Sequence, residues 1–134
     1  MKFKNNYFVA HLLNSNKLQG EIPRSIFQQE NLVWLDLSSN NLSGVVFFEQ
    51  FSRLQGLSSL GLSFNRLSLV SNNHDNYTLP KAIVFLNLSS YNISEFPYAL
   101  RSLESLLELD LSNNRIRGMS PNGFGMWERI HCII

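Results

Sequence analysis

Leucine and isoleucine recur along this chain at fixed distances from a repeated asparagine, and polar residues fill most positions between them. The asparagine follows each Leu-x-Leu pair at Asn16, Asn40, Asn65 and Asn114, and Tyr91 stands in its place in one copy. The intervals between these anchors are 24, 25, 26 and 23 residues. A repeat of this length predicts a solenoid, in which each coil packs on its neighbours and buries a continuous core.

The Leu-x-Leu step indicates a short strand in every coil. Two residues of separation place both leucines on one face of a strand, and stacked copies then form a parallel sheet with that face inward. The anchor asparagine has donor and acceptor groups, so it can satisfy backbone groups that the turn leaves unpaired. We expect a ladder of these side chains, with Asn92 outside it, because Ile93 holds the apolar position that should follow Tyr91.

Turn signals follow each anchor and divide the coil in two. Gly20-Glu21-Ile22-Pro23 is the clearest, since proline cannot continue a paired strand and glycine permits unusual backbone angles. Short helical or 3₁₀ turns are predicted at 24–29, 49–54 and 98–103, and a polar loop at 70–79. We assign 1–121 to about five coils, the first degenerate, and 122–134 to an irregular tail in which Trp127 covers the last coil.

The pattern LxxLxxLxLxxNxLxGxIP resembles the extracellular, plant-type leucine-rich repeat. Leu18, Gly20, Ile22 and Pro23 carry the resemblance, as does the run at 32–44. It implies a leucine-rich-repeat solenoid, a right-handed β/α superhelix with its parallel sheet on the concave side and short 3₁₀ turns and loops on the convex side. It further implies part of a receptor-like protein that recognises a protein, peptide or glycan ligand, and a co-receptor, outside the cell.

Residues between the inward leucines are expected to face the concave surface. Trp34 and Phe85 would supply apolar contact area, and Asp36, Glu108 and Asp110 would supply hydrogen-bond acceptors and charge, a combination that binding hot spots use. The alternative is that all of them are ordinary solvent-facing strand residues. The candidate ligand-binding set is Trp34, Asp36, Ser38, Ser59, Gly61, Ser63, Phe85, Asn87, Ser89, Glu108, Asp110 and Ser112.

Four Asn-x-Ser/Thr sequons are candidate glycosylation sites: Asn41, Asn76, Asn87 and Asn92. Glycosylation of such sequons occurs in the secretory pathway, so they favour a secreted protein. Asn76 falls in the predicted polar loop and should be the easiest to modify. A glycan on Asn87 would block part of the concave face.

The sequence gives little support for nucleic-acid or membrane binding, metal or cofactor binding, or catalysis. The net charge of +1 gives no basic patch for nucleic acid or an anionic membrane. Cys132 is the single cysteine, and His11, His74 and His131 are far apart, so we expect no disulfide, no metal site and no cofactor. No phosphate loop or catalytic triad order is present, and the chain is not expected to be an enzyme.

Three other interpretations stay open beside the receptor. One is a truncated gene relic without independent function, another is a secreted inhibitor of cell-wall-degrading enzymes, and the third is an intracellular adaptor. No apolar run reaches the roughly 18 residues that a membrane helix needs, and we interpret the start of the chain as a damaged repeat and not as a signal peptide. The resemblance implies a location on the extracellular face of the plasma membrane, as part of a longer receptor.

Overall fold

Short parallel strands, one from each coil, form the main sheet of the protein. The computed structural model describes residues 7–71, 77–117 and 130–134. Within them the sheet has six strands, β1 (Val9–Leu12), β3 (Leu32–Asp36), β5 (Ser59–Gly61), β7 (Phe85–Asn87), β8 (Glu108–Asp110) and β9 (His131–Ile133). They lie side by side in the order β1, β3, β5, β7, β8, β9.

The leucine positions predicted to point inward form the core of the stack. Leu35, Leu60, Leu86 and Leu109 are paired in register across the sheet, and none is more than 2% exposed. The second leucine of each pair is buried to the same degree at Leu37, Leu62, Leu88 and Leu111. The predicted parallel sheet with an inward leucine face is thereby confirmed.

A second, three-stranded parallel sheet lies after the asparagine turn, and the sequence analysis did not predict it. Its strands are β2 (Gln19–Gly20), β4 (Asn41–Phe47) and β6 (Arg66–Val70), in that order. Gly20 and Gly44 have φ values of +84° and +93°, which favour glycine. These residues lack the strict alternation of polar and apolar positions that signals a strand, so their pairing depends on stacked neighbours.

In the part of the chain that the structure describes, three short 3₁₀ helices form the returning side of the coils, close to the predicted ranges. They are η1 (Arg24–Gln28), η2 (Phe48–Arg53) and η3 (Tyr98–Ser102). Phe27 of η1 meets Phe51 of η2 with ring centroids 5.2 Å apart at 73°, an edge-to-face contact. Phe51 is fully buried, so aromatic rings extend the leucine core under the helices.

The asparagine ladder is present at Asn40, Asn65 and Asn114, whereas the Asn16 side chain donates to the Asn14 carbonyl oxygen of its own turn. Asn65 donates through Nδ2 to the carbonyl oxygens of Leu37 at 2.8 Å and Leu62 at 2.9 Å, and its Oδ1 accepts from the Leu42 amide at 3.0 Å. Asn40 and Asn114 make the same kinds of bond in their coils. Each ladder side chain therefore joins its own turn to the coil before it.

Tyr91 takes the place of the missing asparagine in the ladder, with its hydroxyl group as the hydrogen-bond donor. Its hydroxyl donates to the carbonyl oxygen of Leu62, which belongs to the preceding coil. Burial raises the pKa of this hydroxyl far above its ordinary value near 10, and a hydrogen bond with Asn65 offsets part of that rise. Asn92 is exposed, with φ of 56°, and lies outside the ladder as predicted.

We expect the stability of the fold to decrease above about pH 10 partly through Tyr91. The folded state keeps this hydroxyl protonated to higher pH than the unfolded state does, so the unfolded state releases the proton first as pH rises. Below about pH 10 both states are protonated and the contribution is constant. Denaturant unfolding between pH 8 and pH 11 should give a shallower decline for Tyr91→Phe than for the unsubstituted chain.

The control is the same pair of proteins between pH 6 and pH 8. There the folded and the unfolded state both keep the Tyr91 hydroxyl protonated, so the two proteins should show the same slope. Equal slopes for the unsubstituted chain and Tyr91→Phe between pH 8 and pH 11 would contradict the assignment.

The predicted irregular tail at 122–134 is wrong for its last residues. Residues 131–133 form β9, which pairs in parallel with β8. Cys132 lies opposite Leu109, in the position where other coils have the first inward leucine. Burial raises the pKa of its thiol, and the Asp110 carboxylate raises it further. The boundary at 121 and the predicted cover by Trp127 lie outside the described residues, as does half of the predicted polar loop, at 72–76.

Candidate functional site: the concave face

Outward side chains of the six-stranded sheet fall into two columns. The first column runs Ala10, Trp34, Ser59, Phe85, Glu108 and His131, each residue paired with the next across neighbouring strands. The second runs Leu12, Asp36, Gly61, Asn87, Asp110 and Ile133 in the same register. These two columns define the concave face, and strand pairing sets the place of every side chain on it.

A shallow depression of about 160 Å³ lies in the middle of this face. Its aromatic residues, Trp34 and Phe85, are each 48% exposed. Nine of the twelve predicted residues line it together: Trp34, Asp36, Ser38, Ser59, Gly61, Phe85, Asn87, Glu108 and Asp110. The structure therefore gathers most of the predicted set into one concavity.

Two predicted residues do not reach the surface. Ser63 is 2% exposed and Ser89 is 1% exposed, so neither can contact a ligand on this face. Each follows its strand in a middle coil and has a neighbouring coil on both sides, which closes over the side chain. The prediction that they face the concave surface is wrong. Ser112 is partly exposed but lies outside the lining of the depression.

The polar residues of the second column also hold the turns of their own coils. Asp36 Oδ1 accepts from the Ser38 amide at 3.0 Å and from the Ser38 hydroxyl at 2.5 Å. Asn87 Oδ1 accepts from the Ser89 amide at 3.1 Å, and Asp110 Oδ1 from the Ser112 amide at 2.9 Å. These bonds fix the side chains on the face, so the polar groups are presented in a defined geometry.

Four further residues on the face were missed by the sequence reasoning. Ala10 and Leu12 belong to the degenerate first coil, and His131 and Ile133 belong to β9. Leu12 is 54% exposed and Ile133 is 41% exposed, so apolar groups stand at both ends of the second column. A signal for β9 was available, because Cys132 follows Leu109 by 23 residues, one repeat length.

His11 takes an inward position of the first coil, opposite Leu35, and its Nε2 lies 2.7 Å from Gln29 Oε1. This bond satisfies a polar ring where the other coils bury leucine. His11 is therefore a structural residue and not part of the concave face. His74 lies outside the described residues.

The sequons occupy three different environments. Asn41 is exposed at the start of β4, and Asn92 is exposed beside a second depression of about 230 Å³. Asn87 lines the concave depression, so a glycan there would occupy the space that a ligand needs. Asn76 lies outside the described residues. The use of all four as glycan acceptors stays a prediction.

The outward side chains of the described strands form a surface suited to non-covalent contact. Among these residues no group of three or more histidine, cysteine or carboxylate side chains is placed to hold a metal ion. None of the described helices is long and apolar enough to cross a membrane. What the face offers is apolar area from two aromatic rings beside fixed hydrogen-bond acceptors, the composition of a binding surface.

Comparison with known proteins gives matches in sequence and in structure. The family profile described as Leucine Rich Repeat matches residues 31–54 and 105–127. Receptor like protein 23 of Arabidopsis thaliana is 40% identical over 109 residues, which is 81% of this chain and 12% of that protein. The chain thus spans about an eighth of this relative's length.

Two solved structures share the architecture. The leucine-rich-repeat ectodomain of the receptor kinase SOBIR1 from Arabidopsis thaliana superposes with a TM-score of 0.70 at 25% identity, covering 91% of this chain and 66% of that one. The plant peptide hormone receptor RGFR1, solved in complex with RGF2, gives 0.68 at 27% identity, covering 91% of this chain and 19% of that one. The predicted leucine-rich-repeat solenoid is confirmed by these superpositions.

Proposed function

We propose that the chain is a stretch of plant extracellular leucine-rich repeats of the receptor-like-protein type and that it is a non-catalytic recognition module. Its concave face binds an extended polypeptide at the cell surface. The observation that carries this proposal is the gathering of nine predicted residues around one depression with two half-exposed aromatic rings. Large exposed aromatic side chains beside fixed polar groups are what protein partners use as anchors.

The relatives support a polypeptide as the partner. RGFR1 is a peptide hormone receptor, and its structure is that of a complex with RGF2. A sheet face of about six strands presents roughly 25 Å of surface across the strands, enough for an extended peptide. A glycan ligand and a co-receptor ectodomain are further proposals within the same module. We place the module on the extracellular face of the plasma membrane, within a longer receptor-like protein.

The other interpretations gain nothing from the comparisons. The relatives described above are receptors and a receptor-like protein, whereas a relic, an enzyme inhibitor and an intracellular adaptor would each need separate support. We therefore retain recognition as the single proposed function. Signalling and defence fit the receptor family as roles for the protein that contains these repeats.

Peptide binding should depend on the two aromatic residues of the concave face. The chain, produced by secretion from eukaryotic cells, is panned against a random nonapeptide library displayed on phage, and selected peptides are synthesised for titration. We expect the double variant Trp34→Ala/Phe85→Ala to weaken binding at least about tenfold, since buried anchors of this kind contribute about 2 kcal/mol or more, at roughly 1.4 kcal/mol per tenfold.

The matched control is Tyr98→Ala. Tyr98 is a 54% exposed aromatic residue on η3, away from the concave face. Its replacement should leave affinity within about twofold. Failure to select any peptide, or equal losses for the control and the double variant, would overturn the proposed function.

A further inference from the structure

A valley runs along β5 between the side chains of two flanking strands. Its floor is made of Ser59 and Gly61, the smallest residues of the two outward columns in the middle coils. Trp34 stands on one side and Phe85 on the other, both in register with Ser59. Since neighbouring strands are about 4.8 Å apart, the backbones that carry the two rings are about 10 Å apart, wide enough for one side chain to enter between them.

A carboxylate closes one end of this valley. A Cβ atom placed on Gly61 would lie only 2.8 Å from Asp36 Oδ1, so the Asp36 carboxylate leans across the floor over Gly61. The two bonds from Ser38 to Oδ1 hold it there. A larger residue at position 61 would displace this carboxylate, so glycine in this coil leaves room for it.

The charge around the valley is of one sign. Asp36, Glu108 and Asp110 line the depression, and none of its described lining residues is lysine, arginine or histidine. Aromatic faces attract cations through their ring quadrupole, and a carboxylate adds a direct ion pair. A cation entering between Trp34 and Phe85 would meet both interactions at once.

We propose that this valley binds one basic side chain, of arginine or lysine, from an extended polypeptide partner. The proposal rests on the proposed function, since it names the kind of peptide that the concave face selects. An aliphatic side chain would contact the rings but would strip water from Asp36 without replacing its hydrogen bonds, which is unfavourable. A neutral glycan could stack on the rings and donate hydroxyl hydrogen bonds to the carboxylates, but it would leave the negative charge of Asp36, Glu108 and Asp110 without a counter-charge.

The substitution Asp36→Asn tests the negative charge of Asp36 apart from the hydrogen bonds by which its side chain holds the turn. In the next coil but one, Asn87 stands at the same position and accepts the equivalent bond from the Ser89 amide at 3.1 Å. Asparagine at position 36 can therefore keep the turn while the negative charge is lost. The matched control is Glu49→Gln, which removes one negative charge from an exposed site on η2, away from the face.

The experiment compares peptides that differ in one side chain. A nonapeptide selected by panning on the full chain is synthesised with arginine, lysine, citrulline, norleucine or glutamate at its basic position, and affinities are measured by calorimetry. Citrulline keeps the shape of arginine without its charge. We expect arginine or lysine to bind about fivefold to tenfold tighter than citrulline, and raising NaCl from about 0.05 M to 0.5 M to reduce that ratio.

Asp36→Asn should reduce the preference for the charged peptides at least about threefold, because Asp36 supplies the nearest carboxylate, and Glu49→Gln should retain the full preference. The proposal is overturned if the selected peptides bind through Trp34 and Phe85 but show no preference for the cation, or if Asp36→Asn keeps the full preference. It is also overturned if cellohexaose, a neutral glycan probe, displaces the peptide from this site at equal concentration. If no peptide binds the face at all, the proposed function itself fails, so the two failures are distinguishable.

Discussion

Replacing Phe51 by alanine is expected to lower the free energy of unfolding by about 3–5 kcal/mol, the usual cost of truncating a fully buried phenylalanine. Phe51 has no exposed surface, and its ring meets that of Phe27 in an edge-to-face contact. The alanine would leave a cavity between η1 and η2 and remove that contact. Because the net stability of a domain is about 5–15 kcal/mol, this loss is a large share of the total.

Guanidinium unfolding followed by far-ultraviolet circular dichroism would measure the change. The control is Phe85→Ala, since Phe85 is 48% exposed on the concave face and its removal should cost less than about 1 kcal/mol. Phe51→Leu conserves most of the volume and should lose only about 1.5 kcal/mol, which keeps the test informative if the alanine variant does not fold. Equal midpoints for Phe51→Ala and Phe85→Ala would show that the rings under the helices are not part of the core.

Replacing Asn114 by alanine is expected to lower the free energy of unfolding by about 2–4 kcal/mol, because several partly buried backbone groups lose their partner at once. Its Oδ1 accepts from the amides of Tyr91 and Ile93, both at 3.0 Å. Its Nδ2 donates to the carbonyl oxygens of Leu88 at 2.9 Å and Leu111 at 2.8 Å. Alanine satisfies none of these four groups.

The effect should be local to one interface of the stack. Coils of a solenoid interact with their nearest neighbours, so the loss falls between the coils that Asn114 joins. Amide hydrogen exchange should therefore accelerate at Tyr91 and Ile93 in Asn114→Ala, while protection at Leu35 changes less. In protein made without glycosylation, the control Asn41→Ala removes an exposed asparagine and should change stability by no more than about 0.5 kcal/mol. Unchanged protection at both amides would contradict the ladder role.

For Tyr91, the sequence predicted the position in the ladder but not the hydrogen bond that it makes there. The repeat spacing placed it in the asparagine position, and the exposed Asn92 outside the ladder was also predicted. The spacing could not show how a phenol would replace an amide. The hydroxyl reaches the Leu62 carbonyl oxygen, a bond that only the stacking of the two coils makes available.

The candidate site likewise has a part that the sequence predicted and a part that it did not. Alternation along each strand placed Trp34, Asp36 and Phe85 outward, since period two is a property of the strand itself. The same alternation predicted that Ser38 and Ser63 are equally exposed, but Ser63 is buried and Ser38 is partly exposed. Exposure depends on the coils on either side, and those differ for equivalent positions of successive repeats.

The sequence by itself determined the repeat, the inward leucines, the asparagine ladder and the direction of most outward side chains. Each follows from spacing within one coil, and the coil recurs often enough for the spacing to be read. The tertiary structure decided the second sheet, the strand at 131–133 and the place of Asp36 over Gly61. These features depend on contacts between residues of different coils, whose geometry is set only when the coils stack.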